Sequence, residues 1–428
     1  MASSEPARVP IPKNGVDYRG TVVLAPMVRS GELPSRLLAL KYGADLVWGP
    51  ETIDRAIIGT TRRLNPRTST LEFSRLPTSK IQDPTLDPEK RESIIYRIHP
   101  ELEKGKLIYQ MGTANPELAV QAAKIVAGDV AGIDVNSGCP KPFSTAGGMG
   151  AALLKTPDLL CDILTSLVEE VGKPYEIGIS VKIRILDKPE ETEVLVKRLV
   201  RTGITGLTVH CRTTPMRPRE RAIRDQLKMV AQICKEAGVA CVMNGDVTSR
   251  TEAIQLMQEF GADGAMIATE AEKNPSCFRP DAAGGPHEWR SHWKTVVTEY
   301  MRLALQVENR WGNTKYLLSQ MIPGREAMYV AMNKSKCYAD VIRALGLEEV
   351  DGMLEQAKTV DEHLHLPPPE SKADKKKRVK DERKERKVKR KEEVEEQPEA
   401  KRIKVQEAAV EDLILPSAEM VAPATVSV

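Results

Sequence analysis

Residues 132–186 read GIDVNSGCPKPFSTAGGMGAALLKTPDLLCDILTSLVEEVGKPYEIGISVKIRIL. An apolar run, GIDVNSGC, enters a glycine-rich turn. An amphipathic stretch, PDLLCDILTSLVEEVG, then closes on glycine, the usual helix C-terminal signal. A second apolar run, SVKIRIL (180–186), begins soon after. Continuous apolar strands that alternate with helices imply a parallel sheet covered on both faces. The unit recurs on either side. Further apolar runs are TVVLAPM (21–27), ADLVWGPE (44–51), KLIYQMG (106–112), GLTVHCRT (206–213), ACVMNGDV (240–247) and GAMIATE (264–270). Helical stretches such as PELAVQAAKIVAG, TEVLVKRLVRTG, QLKMVAQICKEAG and RTEAIQLMQEFG lie between most of them. Eight strand–helix units in roughly 260 residues match a (β/α)8 TIM barrel in count and size. A doubly wound open sheet needs fewer units and usually carries GxGxxG after its first strand. Here that strand ends in APM. The expected fold is α/β: a TIM barrel over 20–280, preceded by an N-terminal extension, 1–19.

Beyond Pro280 the character changes. Residues 285–366 carry helical spacings and no convincing strands, and are expected to form a small all-α domain. PPPESK (367–372) marks a boundary. Between Lys372 and Lys391 there are 13 Lys/Arg against 4 Asp/Glu, with almost nothing apolar to bury. The segment 367–428 therefore reads as a charged low-complexity tail, expected to be disordered or a lone charged helix.

Residues 372–428 account for the whole formal net charge of +3, so residues 1–371 are formally neutral. Whatever the body does, bulk positive charge does not drive it. No run of about 18 apolar residues appears, so no membrane-spanning helix is expected. The N-terminus, MASSEPARVPIPKNG, lacks the apolar core of a secretory signal. Seven scattered cysteines without a CxxC pair argue against both a disulfide framework and a zinc site. A reducing cytoplasmic or nuclear compartment, no metal and a monomer are expected.

In a barrel the strand ends and the loops after them build the active site. Read in order, those ends carry Pro26 and Met27, Glu51, Gln110, Asn136 with Cys139, Lys182 with Arg184, and His210 with Arg212. Asn244–Gly245–Asp246 and Ala268–Thr269 complete the series. A polar residue just past a strand is often only a turn or cap, but six consecutive strands ending this way point to a site. Lys182 lies in an apolar strand, where an unpaired ammonium is costly; Glu51 and Asp246 are candidate partners. Gln110 can donate and accept toward a heteroaromatic edge, or bond across the barrel mouth. Loops after the last two strands commonly cradle phosphate with backbone N–H groups. Arg212, Arg217, Arg219 and Arg221 cluster after the sixth strand as candidate phosphate or base contacts, or as a solvated basic loop. Cys139 is the anomaly, because cysteine is usually a small buried hydrophobe.

LAPMV (24–28), DVNSGCPKPFSTAGGMGAALL (134–154), SVKIR (180–184), TVHCRT (208–213), NGDV (244–247) and KNPSCF (273–278) fall in the order seen in tRNA-dihydrouridine synthases. The chain resembles that family over roughly residues 20–280, and VHCRT followed by MRPRERA resembles its eukaryotic branch acting at uridine 20 of the D-loop. The resemblance implies FMN at the barrel mouth, NADPH as its reductant, and hydride passed to C6 of a flipped-out uracil in tRNA. It implies Pro26 and Met27 against the isoalloxazine and Gln110, Lys182 and His210 at its edge. It further implies Asn244, Gly245, Asp246, Ala268 and Thr269 at the ribityl and phosphate, with Glu51 near flavin or base. Asn136, Arg184, Arg212, Arg217 and Arg219 would meet substrate, and the 285–366 helices would help grip tRNA. Cys139 would be the general acid delivering a proton to C5, since an unperturbed thiol (pKa about 8.5) is protonated at neutral pH.

Two departures stand out. Thr269 occupies the place where the family usually carries an arginine able to grip the flavin phosphate. The basic tail stands where some members carry a double-stranded-RNA-binding domain. Two alternatives share the barrel: an FMN enzyme acting on a free pyrimidine or enone, and a catalytically weakened RNA-binding homologue.

Overall fold

The computed structural model describes residues 8–76, 93–217, 219–280 and 290–366. Strands β1 (Val22–Leu24), β2 (Val47–Trp48), β3 (Thr52–Ile53), β4 (Thr61–Asn65), β5 (Thr70–Arg75) and β6 (Ser93–Ile98) come first. They are followed by β7 (Leu107–Gly112), β8 (Gly132–Ser137), β9 (Gly178–Arg184), β10 (Gly206–His210), β11 (Ala240–Asn244) and β12 (Gly264–Ile267). Parallel pairing runs β2-β1-β12-β11-β10-β9-β8-β7, and a β2–β7 pairing closes the ring. These eight staves coincide with the eight apolar runs, so the barrel is as the sequence implies.

Each stave has two faces because successive side chains in a strand point opposite ways. Val23, Ala25, Trp48, Ile108, Val242 and Met266 fill the barrel interior. Val22, Leu24, Val47, Tyr109, Ile133, Val135 and Ile179 belong to a larger core facing the helices. Val16 and Tyr18 join the interior cluster, with the Tyr18 ring 5.7 Å from that of Trp48. The described end of the N-terminal extension thus belongs to the barrel interior.

The sequence reading passed over one feature. Between β2 and β7, where a regular unit would place a long helix, stand a four-residue helix (Asp54–Ile57) and an antiparallel sheet of order β4-β5-β6. Strand β4, TRRLN, is mostly exposed and shows no apolar run, which explains why periodicity did not find it. The sheet is clamped to the barrel by Arg36, whose Nε donates to Glu103 Oε1 at 2.6 Å and whose Nη2 donates to Arg97 O at 2.7 Å. The Arg36 and Glu103 side chains are both essentially fully buried.

Among the described residues, five helices follow the barrel: Trp293–Gln306, Trp311–Met321, Ala327–Lys334, Tyr338–Leu345 and Met353–His363. Their apolar faces share the core that backs the barrel helices. Arg97 Nη1 donates to Val307 O at 2.6 Å and Asn313 Nδ2 to Glu32 Oε1 at 2.9 Å, tying this segment to the antiparallel sheet and to the first barrel helix. The expected disorder of the tail falls outside the described residues. Among them, no helix is long and apolar enough to cross a membrane.

Candidate active site

Strand pairing sets the site in layers. Gln110 lies beside Asp134, Asp134 beside Ser180, Asn136 beside Lys182, and His210 beside both Arg184 and Asn244. In the lower layer the fully buried Asp134 accepts from Gln110 Nε2 at 2.8 Å and from Ser180 Oγ at 2.7 Å. Burial raises its pKa to about 6 against the opposing pull of those hydrogen bonds and of Lys182. Gln110 therefore does bond across the mouth, its amide N–H donating to Asp134, and the residue lines the cavity above.

Asp134 is also the carboxylate acting on Lys182, rather than Glu51 or Asp246. Burial, then the neighbouring Arg184, lowers the Lys182 pKa to about 8 despite that attraction. Above Lys182, the His210 imidazole is held far below its usual pKa by burial and by Lys182, Arg184 and Arg212. Arg212 Nη1 lies 3.2 Å from His210 Nε2. A guanidinium can only donate, so Nε2 accepts and the neutral ring carries its proton on Nδ1.

Cys139 follows β8 in a turn built by Asn136, whose Oδ1 accepts from Gly138 N at 3.0 Å and Cys139 N at 3.1 Å. The thiol is half-buried, and burial raises its pKa above the free value. Gly150 closes the turn at φ 58°; a Cβ there would lie 2.6 Å from Cys139 O and 2.4 Å from Ser144 Oγ. Only glycine tolerates both that backbone and that approach.

Two abutting cavities share Arg184 and His210 as walls. The smaller, of about 380 Å³, is lined by Pro26, Glu51, Gln110, Asn136, Cys139 and Lys182 among others. The larger, of about 670 Å³, carries Asn244, Gly245, Asp246, Ala268 and Thr269, together with Arg212, Arg221, Arg224 and Lys273. Both volumes lie in the range of small-molecule sites. Met27, Arg217 and Arg219 line neither cavity.

The arginines divide by task. Arg184 donates Nε to Gly138 O at 2.7 Å and Nη1 to Thr213 O at 2.9 Å, bracing the loops after β8 and β10. Arg212 pairs with Asp246 Oδ1 and donates Nε to Glu220 O. Asp246 Oδ2 accepts from Ala222 N at 2.7 Å, so this carboxylate is occupied and its pKa lies below the usual range. Although burial pushes the other way, the Ala222 N–H and the Arg212 guanidinium hold the charged form.

Arg224 was missed by the sequence reading. Its Nη2 donates to Gly245 O and Asp246 O at 3.0 and 2.8 Å, and its buried Nε has no partner. Lys273 shares the cavity and pairs with Glu270. A wall in which Arg and Lys outnumber Asp and Glu suits an anion such as a phosphate. The smaller cavity is lined by a lysine, a neutral histidine and an amide, groups able to bond the edge of a polar heteroaromatic ring. The residues present therefore fit FMN, with a cation for its phosphate beside Thr269.

A family model described as "Dihydrouridine synthase (Dus)" matches residues 23–366. The chain is 46% identical over 338 residues to the tRNA-dihydrouridine(20) synthase [NAD(P)+] of Schizosaccharomyces pombe, spanning 78% of this chain and 66% of that protein. It is 44% identical over 340 residues to the protein of the same name from Saccharomyces cerevisiae, spanning 79% of this chain and 86% of that one. Among solved structures, a DHODH from Eimeria tenella in complex with ferulenol superposes at a TM-score of 0.39. Its identity is 16%, covering 58% of this chain and 76% of that one.

Proposed function

The chain belongs to the dihydrouridine synthase family, and we propose that it reduces uridine to 5,6-dihydrouridine in the D-loop of tRNA, at position 20. The names of the two yeast relatives described above support the position and an NAD(P)H reductant. The observation that carries the reading is the meeting of Cys139, Lys182, Gln110 and His210 around one cavity that continues into a cationic one.

When bound, FMN would supply the hydride chemistry between an NAD(P)H reductant and uracil C6. Lys182, the Gln110 amide and His210 hold the ring edge. Arg224, Lys273 and the backbone of Asn244–Asp246 take the ribityl phosphate, so Thr269 needs to contribute only a hydroxyl. Hydride addition at C6 leaves electron density at C5 and O4. The Cys139 S–H delivers its proton to C5, and its raised pKa keeps that proton in place at neutral pH. A thiolate would suit a nucleophile or metal ligand instead. Extruding the base costs a few kcal/mol of stacking, which contacts to the surrounding tRNA offset. The exposed Arg217 and Arg219 serve as phosphate contacts there, along with the helices over 285–366 and the basic tail.

The test is mass spectrometry of tRNA from a strain lacking this protein, complemented with wild type or Cys139→Ala. Dihydrouridine should return at one D-loop position with wild type alone. Full restoration by Cys139→Ala would remove the thiol from the mechanism. Equal reduction of free uridine and tRNA would favour a small-molecule reductase.

A further inference from the structure

Glu51 lies where the barrel wall is irregular. Trp48 pairs with Ile108 and Thr52 with Met111, so the β2–β3 side holds one residue more than β7 across the same interval. Such a bulge re-aims a side chain. The Glu51 carboxyl turns inward over Gly112, where a Cβ would lie 2.5 Å from Oε1. Oε1 accepts from Ser144 Oγ at 2.9 Å, while Oε2 is buried without a hydrogen-bond partner. Burial raises the pKa of this carboxyl, and the groups that oppose the rise are Ser144, Asn136 and Cys139, with no cation among them.

Lys182 and Arg184 of β9 line the same cavity as Cys139, and their charges act on the thiol. Cations beside a cysteine pull it toward the thiolate, which has no proton to give. We infer that Glu51 is a positioning residue for the proton donor: lining the same cavity as Cys139 and held there by Ser144, its carboxylate favours the protonated thiol against Lys182 and Arg184. This inference rests on Cys139 being the acid of the proposed reaction, and it adds what governs that acid. Three elements contribute: the β2–β3 bulge brings the carboxyl, the helix Pro142–Thr145 brings Ser144, and β9 brings the opposing cations.

The experiment measures the pH dependence of Cys139 alkylation by iodoacetamide in the full-length protein, read at the Cys139 peptide by mass spectrometry. Wild type should react with an inflection above that of free cysteine. Glu51→Gln keeps the shape and removes the charge, so its inflection should fall by about one pH unit, with roughly tenfold faster alkylation at neutral pH. The alkaline limb of uridine reduction should move down by the same amount. Glu51→Ala removes the same charge and should lower the inflection likewise, which provides a second reading should Glu51→Gln fold poorly. An unchanged inflection in both variants overturns the inference, even if Cys139→Ala abolishes reduction. Conversely, full activity of Cys139→Ala would overturn the proposed role of the thiol, whatever Glu51 does to its titration.

Discussion

Arg224 shows how much one side chain can decide. Its Nη2 is tied to two backbone carbonyls, its buried Nε has no partner, and the residue lines the cavity that also carries Gly245 and Thr269. A hydrogen bond to a charged group contributes about 1.5–3 kcal/mol. Arg224→Ala should accordingly weaken FMN binding by tenfold or more, measured by quenching of flavin fluorescence on titration. Unaltered affinity would place the phosphate elsewhere. Asp134 bears on stability instead. Its folded pKa of about 6 lies above the unfolded value of about 3.9, so the folded state holds more protons between them. Its contribution is complete below the unfolded pKa and is lost as pH rises through about 6. A two-unit shift is worth about 3 kcal/mol. Asp134→Asn should remove that slope, so urea melts at pH 4.5 and 7.5 should differ less than in wild type. Cys139, Lys182 and His210 were legible because they sit at strand ends beside apolar runs. Asp134 and Ser180 were not, although the alternation 134/136, 180/182 and 208/210 carried the signal, because those segments were read as continuous apolar runs. Arg224 lies 14 residues beyond the end of β10 in a loop, where spacing carries no such information.

At the scale of elements, the inserted sheet joins the barrel through a shared core, to which it contributes Leu71, Phe73, Tyr96 and Ile98, and through a buried ion pair. Arg36 reaches from the helix Leu33–Lys41 to Glu103 and to the last turn of β6. Removing one partner of a buried pair leaves the other charge uncompensated, at a cost of about 3–5 kcal/mol. Arg36→Leu should lower stability by that amount in chemical denaturation and loosen the β4-β5-β6 sheet, visible as faster hydrogen exchange in Leu71–Phe73. Exchange unchanged in that strand would mean the sheet is held by its apolar face alone. Apolar periodicity located every stave and the helices between most of them, because each is covered by its neighbours. The same method overlooked β4, whose exposed TRRLN has no buried face to repeat. It likewise said nothing of the bulge that turns Glu51 inward, which arises from a register difference between two distant strands.

For the whole molecule, charge separates the body from the tail. Residues 1–371 are formally neutral, while 13 Lys/Arg cluster between Lys372 and Lys391. Each phosphate neutralised by such a cation steepens the salt dependence of binding. Removing 367–428 should leave reduction of bound tRNA intact while weakening tRNA affinity at low salt and flattening its slope against salt. An unchanged slope would deny the tail any such role.

The order of apolar runs, their number and the reactive residues at their ends were decided by sequence alone, because burial on both faces of a strand leaves a local composition mark. Which groups share a proton or a charge was decided only by tertiary structure. Lys182 answers to Asp134 rather than Glu51 because adjacent staves set it there. Glu51 answers to Ser144 and Cys139 because a bulge turns it over Gly112. Such pairings depend on strand register and loop closure across the barrel, and no local pattern of residues records them.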